Sequence, residues 1–207
     1  MFKKENLNKL KICLVKFASD LDSDNLIGLI KLSESYKLLT LQPLEKYAHE
    51  IGEDKTLDSM SRSMIMDQLG DQADNIRDIS SIGEELAIIG LYKTLEITIK
   101  KCARLSGLFS DKEISGMFNF KKLESNFEKK GIIIKNIENF KEFNELRLIN
   151  NSLKHSGKVD MELHELDPLS WEIHSEITHF PEHFKRLINP SLNFLRLLGI
   201  EIASKII

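Results

Sequence analysis

The segment from Leu57 to Leu105 contains no proline, and its apolar residues keep helical spacing throughout. This pattern predicts either one very long helix or two helices joined by a kink near Gly70 or Gly83. A helix of this length needs other helices packed along it, because its apolar stripe must be buried. The segment therefore favours an all-α fold, a helical bundle with long central helices.

The residues before this segment predict a helical arm. Leu7, Leu10, Leu14, Phe17 and Leu21 recur at helical spacing, and Asp22 to Asn25 then supply side chains that cap or break helices. Two short helices are expected between Leu26 and Gly52, because Pro43 disfavours an unbroken helix. The charged residues 53–58 mark a connection, so we assign residues 1–55 to an N-terminal helical arm and 56–207 to a bundle domain.

Local sequence signals also predict where helices start and end in the second half of the chain. Ser110 and Glu113 match a capping box, which predicts a helix start. An amphipathic helix is expected from Phe118 to Lys130, closing at Gly131, followed by a buried linker at Ile132–Ile134. The next helix is expected from about Ile137 to His155, and a loop or small hairpin from Val159 to His179. A last helix then has Pro181 in its first turn, is kinked by Pro190 and reaches Ile206.

Composition excludes several classes of protein. Lys and Arg total 29 against 32 Asp and Glu, and this net charge of −3 excludes binding of nucleic acid through bulk charge while leaving room for a local basic site. Cys13 and Cys102 match no disulfide framework or zinc spacing, so we expect a reducing cytoplasm, with Cys102 as a small buried side chain. The longest purely apolar stretches are only a few residues long, as at Ile132–Ile134, and are too short to cross a membrane. No cofactor-binding motif is recognised.

One helix carries residues whose presence helix propensity does not explain. Between Glu145 and Gly157, Leu146, Ile149 and Leu153 form a core stripe, and the polar residues on the other side are Arg147, Asn150, Asn151 and Lys154, with His155 at the margin. Asparagine and serine are poor helix formers, because their side chains compete for backbone hydrogen bonds. A basic, amide-rich cluster suits phosphates or nucleotide edges. Alternatively, the asparagines cap a fraying end and His155 lies favourably at the helix terminus.

The run Arg147-Leu-Ile-Asn-Asn-Ser-Leu-Lys-His-Ser-Gly157 resembles the signature helix of HEPN domains, all-α proteins that include many RNases of toxin and phage-defence systems. The family pattern is Arg-Asn-x-x-x-His, and aligning on the histidine matches Asn151 and His155. Asn150 stands where the family has arginine, and Arg147 one turn earlier is the candidate substitute. The resemblance covers residues from about 60 to 205.

This resemblance implies a homodimer in which the histidines of two protomers line one RNA-cleaving cleft. His155 would then transfer protons, Arg147 and Lys154 would neutralise phosphate, and Asn150 and Asn151 would bind the phosphate or base. The polar side of the long helix, with Glu85, Tyr92 and Glu96, would face the signature helix. The alternative for that polar side is a solvated surface.

Two functions stay open at this point. One is a HEPN-like module, a component of a toxin–antitoxin or phage-defence system, that binds RNA, a nucleotide or a protein partner without catalysis; the missing arginine favours it. The other is a metal-independent RNase with a composite dimer site.

Other classes of site are excluded or disfavoured. A histidine-kinase-type ATPase needs glycine-rich boxes downstream of its asparagine motif, and it is excluded because Gly157 and Gly199 are the only glycines beyond residue 150. A metal site at His164, His174, His179 and His183 is disfavoured by Pro181. The small residues Gly83, Ala87 and Gly90 predict close helix packing, within or between chains.

Overall fold

The computed structural model describes residues 4–206, and over this range the fold is all-α, as the sequence predicts. The α-helices are α1 (Lys4–Ser19), α2 (Ser23–Glu53), α3 (Ser59–Ser106), α4 (Asp111–Ser115), α5 (Phe120–Glu128), α6 (Phe140–His155), α7 (Met161–Leu166) and α8 (Phe180–Ser204). Two 3₁₀ helices lie at Gly116–Phe118 and Ile134–Asn136. An isolated antiparallel bridge joins Lys158 to Glu176, and residues 4–206 form no named strand.

The chain folds into two compact units. The first combines the residues up to Ser23 with those from Ile88 onward, and the second is Asp24–Ala87. Helix α3 begins in the second unit and ends in the first. The expected domain boundary after residue 55 lies in the turn between α2 and α3, inside the second unit, and stays a prediction.

Helix α2 corrects the expectation of two short helices, since it continues through Pro43. Proline removes one backbone donor, which costs stability in an isolated helix, but burial on both sides of the proline can hold the two halves in line. Leu41 and Ile51 supply that burial, each at 8% exposure. Helix α3 is likewise continuous through Gly70 and Gly83, so the single-helix alternative applies.

Within the second unit, α2 and α3 approach closely at small residues. The Ser33 hydroxyl donates a hydrogen bond to the Ser80 carbonyl at 2.7 Å. A Cβ atom at Gly83 would lie 2.9 Å from Ser33 Oγ, so a larger residue there would displace the serine. The close packing predicted at Gly83 is therefore confirmed, here within one chain.

The core of the first unit includes buried residues of α1, α3, α5, α6 and α8, and the contact between α6 and α8 is aromatic. Phe143 and Phe194 stack with ring centroids 4.3 Å apart, and Tyr92 of α3 lies 6.1 Å from Phe143. Asn139, in the left-handed conformation just before α6, accepts a hydrogen bond from Asn193 of α8 at 2.8 Å. These contacts position the polar face of α6 relative to the end of α3.

The segment 159–179 contains a helix that the expectation of a loop or hairpin missed. Asp160 caps the start of helix α7, because its side chain accepts a hydrogen bond from the Leu163 amide at 2.8 Å, and Leu163 is fully buried. Burial against the rest of the unit stabilises a helix too short to show periodicity in sequence. The Lys158–Glu176 bridge is all that forms of a hairpin.

Most predicted helix ends agree with the structure. The capping box at Ser110 forms, Gly131 adopts φ +73°, and Pro181 lies in the first turn of α8. Helix α6 begins at Phe140 rather than Ile137, because residues 134–136 form a 3₁₀ turn first. Within residues 4–206, no helix has both the length and the apolar content needed to cross a membrane.

Candidate functional site

The polar face of α6 lines a groove of about 740 Å³ in the first unit. Its walls come from α3, from residues 118–124, from α6 and from α7. We call it the α6 groove. The predicted site residues that line it are Tyr92, Glu96, Arg147, Asn150, Asn151 and Lys154. The structure thus brings Tyr92 and Glu96 of α3 to the same cavity as the polar face of α6.

Two predicted site residues lie elsewhere. His155 is the last residue of α6, is exposed to solvent and does not line the groove. On a helix it lies about 100° further round than Lys154, which explains why the two residues differ in orientation. Glu85 belongs to the second compact unit and is half-buried there.

Arg147 is held in a fixed orientation on the groove wall. Its guanidinium lies 4.3 Å from the centroid of the Phe120 ring, and its Nε donates to Asn144 Oδ1 at 2.9 Å. Nη2 lies 3.5 Å from Glu162, and only 11% of the Arg147 side chain is exposed. Nη1 has no hydrogen-bond partner among residues 4–206, so both of its N–H groups remain to contact an anion.

The two asparagines form a coupled amide pair. Asn150 is 1% exposed, and its Nδ2 donates to Asn151 Oδ1 at 3.3 Å. The Asn150 Oδ1 atom is buried and accepts no hydrogen bond from any described residue. A buried polar atom left unpaired costs about 1–3 kcal/mol, and such atoms are uncommon in folded proteins. Because Asn150 also lines the α6 groove, this oxygen is a candidate acceptor for a donor on a ligand.

Charges in the α6 groove leave a positive excess. Each carboxylate lining it is paired: Glu96 with Lys93 at 3.2 Å and also with Lys100, Glu124 with Lys135 at 2.9 Å, and Glu162 with Arg147. In contrast, Lys121 and Lys154 are exposed and make no ion pair with a described residue. The groove therefore offers two free ammonium groups to an anionic ligand.

Glu96 and Tyr92 are both poor proton carriers near neutral pH. Burial alone would raise the pKa of Glu96, but the hydrogen bond and charge of Lys100, followed by those of Lys93, outweigh it and lower the pKa. Burial, with the charge of Glu96 adding to it, raises the pKa of Tyr92 to about 12. Glu96 thus stays ionised and Tyr92 stays neutral.

The sequence reasoning missed one wall of the groove. Phe118, Phe120 and Lys121 line it together with α6, and Phe118 is 72% exposed. The run Phe-Asn-Phe-Lys-Lys at residues 118–122 was the available signal, because aromatic and basic residues interleave in surfaces that bind nucleic acid.

Metal binding and cysteine chemistry can also be compared with the described part of the chain. Residues 4–206 hold no group of three or more His, Cys, Asp and Glu side chains that could bind a metal ion. Cys102 is 1% exposed, and burial raises the pKa of its thiol to about 11, so it is the small buried side chain that we expected. A comparison of the chain with protein-family models, curated proteins and solved structures finds no match.

Proposed function

We propose that the α6 groove binds single-stranded RNA, with one nucleotide seated against Asn150. The observation that carries this proposal is the buried, unpaired Oδ1 of Asn150 at the wall of a groove with free cations. Base edges carry N–H donors close to acceptors, and an amide can satisfy both. The HEPN resemblance of the same helix supports the proposal, and membership of that superfamily remains part of it.

The groove offers a partner for each part of a nucleotide. Lys121 and Lys154 suit the phosphates, and the free Nη1 of Arg147 adds two donors beside them. The exposed ring of Phe118 suits stacking with a base. Asn150 accepts from the base edge through Oδ1, and Asn151 keeps it in place through the amide pair. Binding would therefore depend on both charge and base contact.

Binding fits this chain better than cleavage. Its histidine candidate, His155, does not line the groove, and each groove carboxylate is engaged in an ion pair. The second candidate function is a metal-independent RNase. The exposure of His155 favours this function, because two exposed histidines can meet across a symmetric dimer. A homodimer with facing α6 helices belongs to this second candidate alone, and a role in toxin–antitoxin or phage-defence systems is proposed with either function.

Fluorescence anisotropy with labelled ten-nucleotide RNAs tests the binding. We expect Lys154→Ala to weaken binding about tenfold, because it removes a free ammonium group from the groove. Lys158→Ala is the matched control: it removes the same charge from an exposed residue just beyond α6 that does not line the groove. Equal losses in both variants would show binding through general charge, not through the α6 groove.

Incubation with a chelator present separates the two functions. A binding module leaves the RNA intact at protein excess, whereas a metal-independent RNase cleaves it and a contaminating magnesium-dependent nuclease does not. If cleavage occurs in chelator and disappears in His155→Ala, the RNase function replaces the binding module. Cleavage that survives in His155→Ala excludes that residue from catalysis.

A further inference from the structure

The outer face of the α2–α3 hairpin, in the second compact unit, is apolar and exposed. Six large side chains on it are between 37% and 72% exposed: Leu29, Leu32, Tyr36, Ile79, Ile82 and Leu86. Leu39 continues the row on α2 by one turn, with 73% exposure. We call this surface the hairpin face. Apolar patches of this extent on folded proteins mark interaction surfaces.

The hairpin face has a definite shape. A groove of about 420 Å³ runs between α2 and α3, and its floor is made by Ser33, Gly83 and Ala87. The Ser33–Ser80 hydrogen bond holds the helices at this distance, and the small floor residues leave room above them. The leucines and isoleucines form raised rows on either side of the groove.

We propose that two copies of this chain associate through their hairpin faces into a symmetric dimer. A two-fold interface requires one surface that fits itself, and the hairpin face carries both a raised row and a groove that can accept such a row. Two helices alone cannot bury an apolar stripe, whereas two hairpins together form a four-helix bundle that can. The same surface on the second copy is therefore the occupant that the shape favours.

The area agrees with a stable dimer. The exposed parts of the seven apolar side chains amount to on the order of 700 Å² per copy, close to the roughly 800 Å² per partner of standard interfaces. A smaller patch would be typical of a transient contact.

A row of acidic residues lies along one edge of the face. Asp71, Asp78 and Glu85 recur every seven residues along α3, which places them in a row beside Ile79, Ile82 and Leu86. At the rim of an interface these carboxylates stay hydrated, whereas an anionic membrane surface would repel them. The charge pattern thus favours a protein surface over a lipid one.

Sedimentation velocity on the full chain, from about 1 to 100 µM, tests the proposal. We expect a dimer for the wild type, and at least about 100-fold weaker association for the double variant Leu32→Glu/Leu86→Glu, because each dimer buries four introduced charges. Leu38→Glu is the matched control: Leu38 is on the same helix and 55% exposed, but does not line the groove. It should leave the dimer intact.

A milder pair of substitutions covers the case in which the charged variant loses helicity by circular dichroism. Leu32→Ala/Leu86→Ala keeps helix propensity and should still weaken association at least about tenfold. A wild type that stays monomeric at 100 µM overturns the proposal, as does a dimer that is unaffected by both double variants. Loss of the dimer in Leu38→Glu also overturns the proposal. If the dimer is lost in Lys154→Glu/His155→Glu but not in the two hairpin-face variants, the interface lies at α6 and the proposal is wrong.

Discussion

The indole N–H of Trp171 donates a hydrogen bond to Oε1 of Glu145 at 2.9 Å. Arg186 of α8 donates to both oxygens of the same carboxylate, at 2.9 and 2.7 Å. Glu145 is 6% exposed and lies on α6, two residues before Arg147. One buried carboxylate thus ties the connection before α8, and α8 itself, to the helix that carries the α6 groove.

Replacing Glu145 should destabilise the first unit strongly. Glu145→Leu leaves the Trp171 N–H and the Arg186 guanidinium without their acceptor, and we expect a loss of about 2–4 kcal/mol in the free energy of unfolding. Urea denaturation followed by circular dichroism measures it. Glu138→Leu, an exposed glutamate just before α6, should change the free energy by less than about 0.5 kcal/mol. Equal effects in the two variants would contradict a role for this carboxylate in stability.

His183 should make stability depend on pH. Its ring stacks on Trp171 at 4.7 Å, and burial, then the charge of Arg186, lowers its pKa from the ordinary value of 6.5, with Glu145 acting in the opposite direction. A histidine whose pKa is lowered on folding stabilises the protein above pH 6.5, and that stability is lost as the pH falls below this value. We therefore expect unfolding free energy to decrease between pH 7 and 5.

The variant His183→Phe isolates this contribution, because it keeps a ring against Trp171 and removes the titration. Its unfolding free energy should fall less steeply with decreasing pH than that of the wild type. The exposed His49 provides the control, since His49→Phe should keep the wild-type slope. If His183→Phe has the same slope as the wild type between pH 7 and 5, His183 is not the source.

The unpaired Oδ1 of Asn150 should lower the free energy of unfolding of the protein without ligand. Asn150→Leu removes the unpaired Oδ1 and adds apolar contact, so we expect the unfolding free energy to stay unchanged or rise by about 1 kcal/mol while RNA binding weakens at least about tenfold. Ser152→Ala is the companion variant: its buried hydroxyl is also unpaired, but it does not line the groove. That variant should keep RNA affinity. A structural role for Asn150 would appear as destabilisation of Asn150→Leu by more than 1 kcal/mol.

The two cysteines should differ sharply in reactivity. Cys13 is exposed, whereas Cys102 is buried beside the Val15 carbonyl, 3.7 Å from its sulfur, and its pKa is raised to about 11. Because the thiolate is the reactive form, a thiol reagent at pH 8 should modify one equivalent rapidly in the folded protein and the second only after unfolding. Cys13→Ser should abolish the rapid phase; its persistence would show that Cys102 is accessible.

Local signals let the sequence alone determine where most helices lie. The capping box at Ser110, the positive φ at Gly131 and Pro181 in the first turn depend only on nearby residues, so they are readable without the fold. The polar face of α6 is also a local property, since it follows from helical spacing. For that reason helical spacing alone predicts that Arg147, Asn150, Asn151 and Lys154 lie on one face, and all four line the α6 groove.

Tertiary packing decided what depends on residues far apart in the chain. It keeps α2 continuous through Pro43 and forms α7, whose sequence is too short to show a period. It also brings the ring of Phe120 under Arg147 and leaves Asn150 Oδ1 without a partner, while His155 stays outside the groove. Helical spacing specifies which face a residue lies on, but whether that face meets a wall, a groove or solvent depends on elements that only the folded chain brings together.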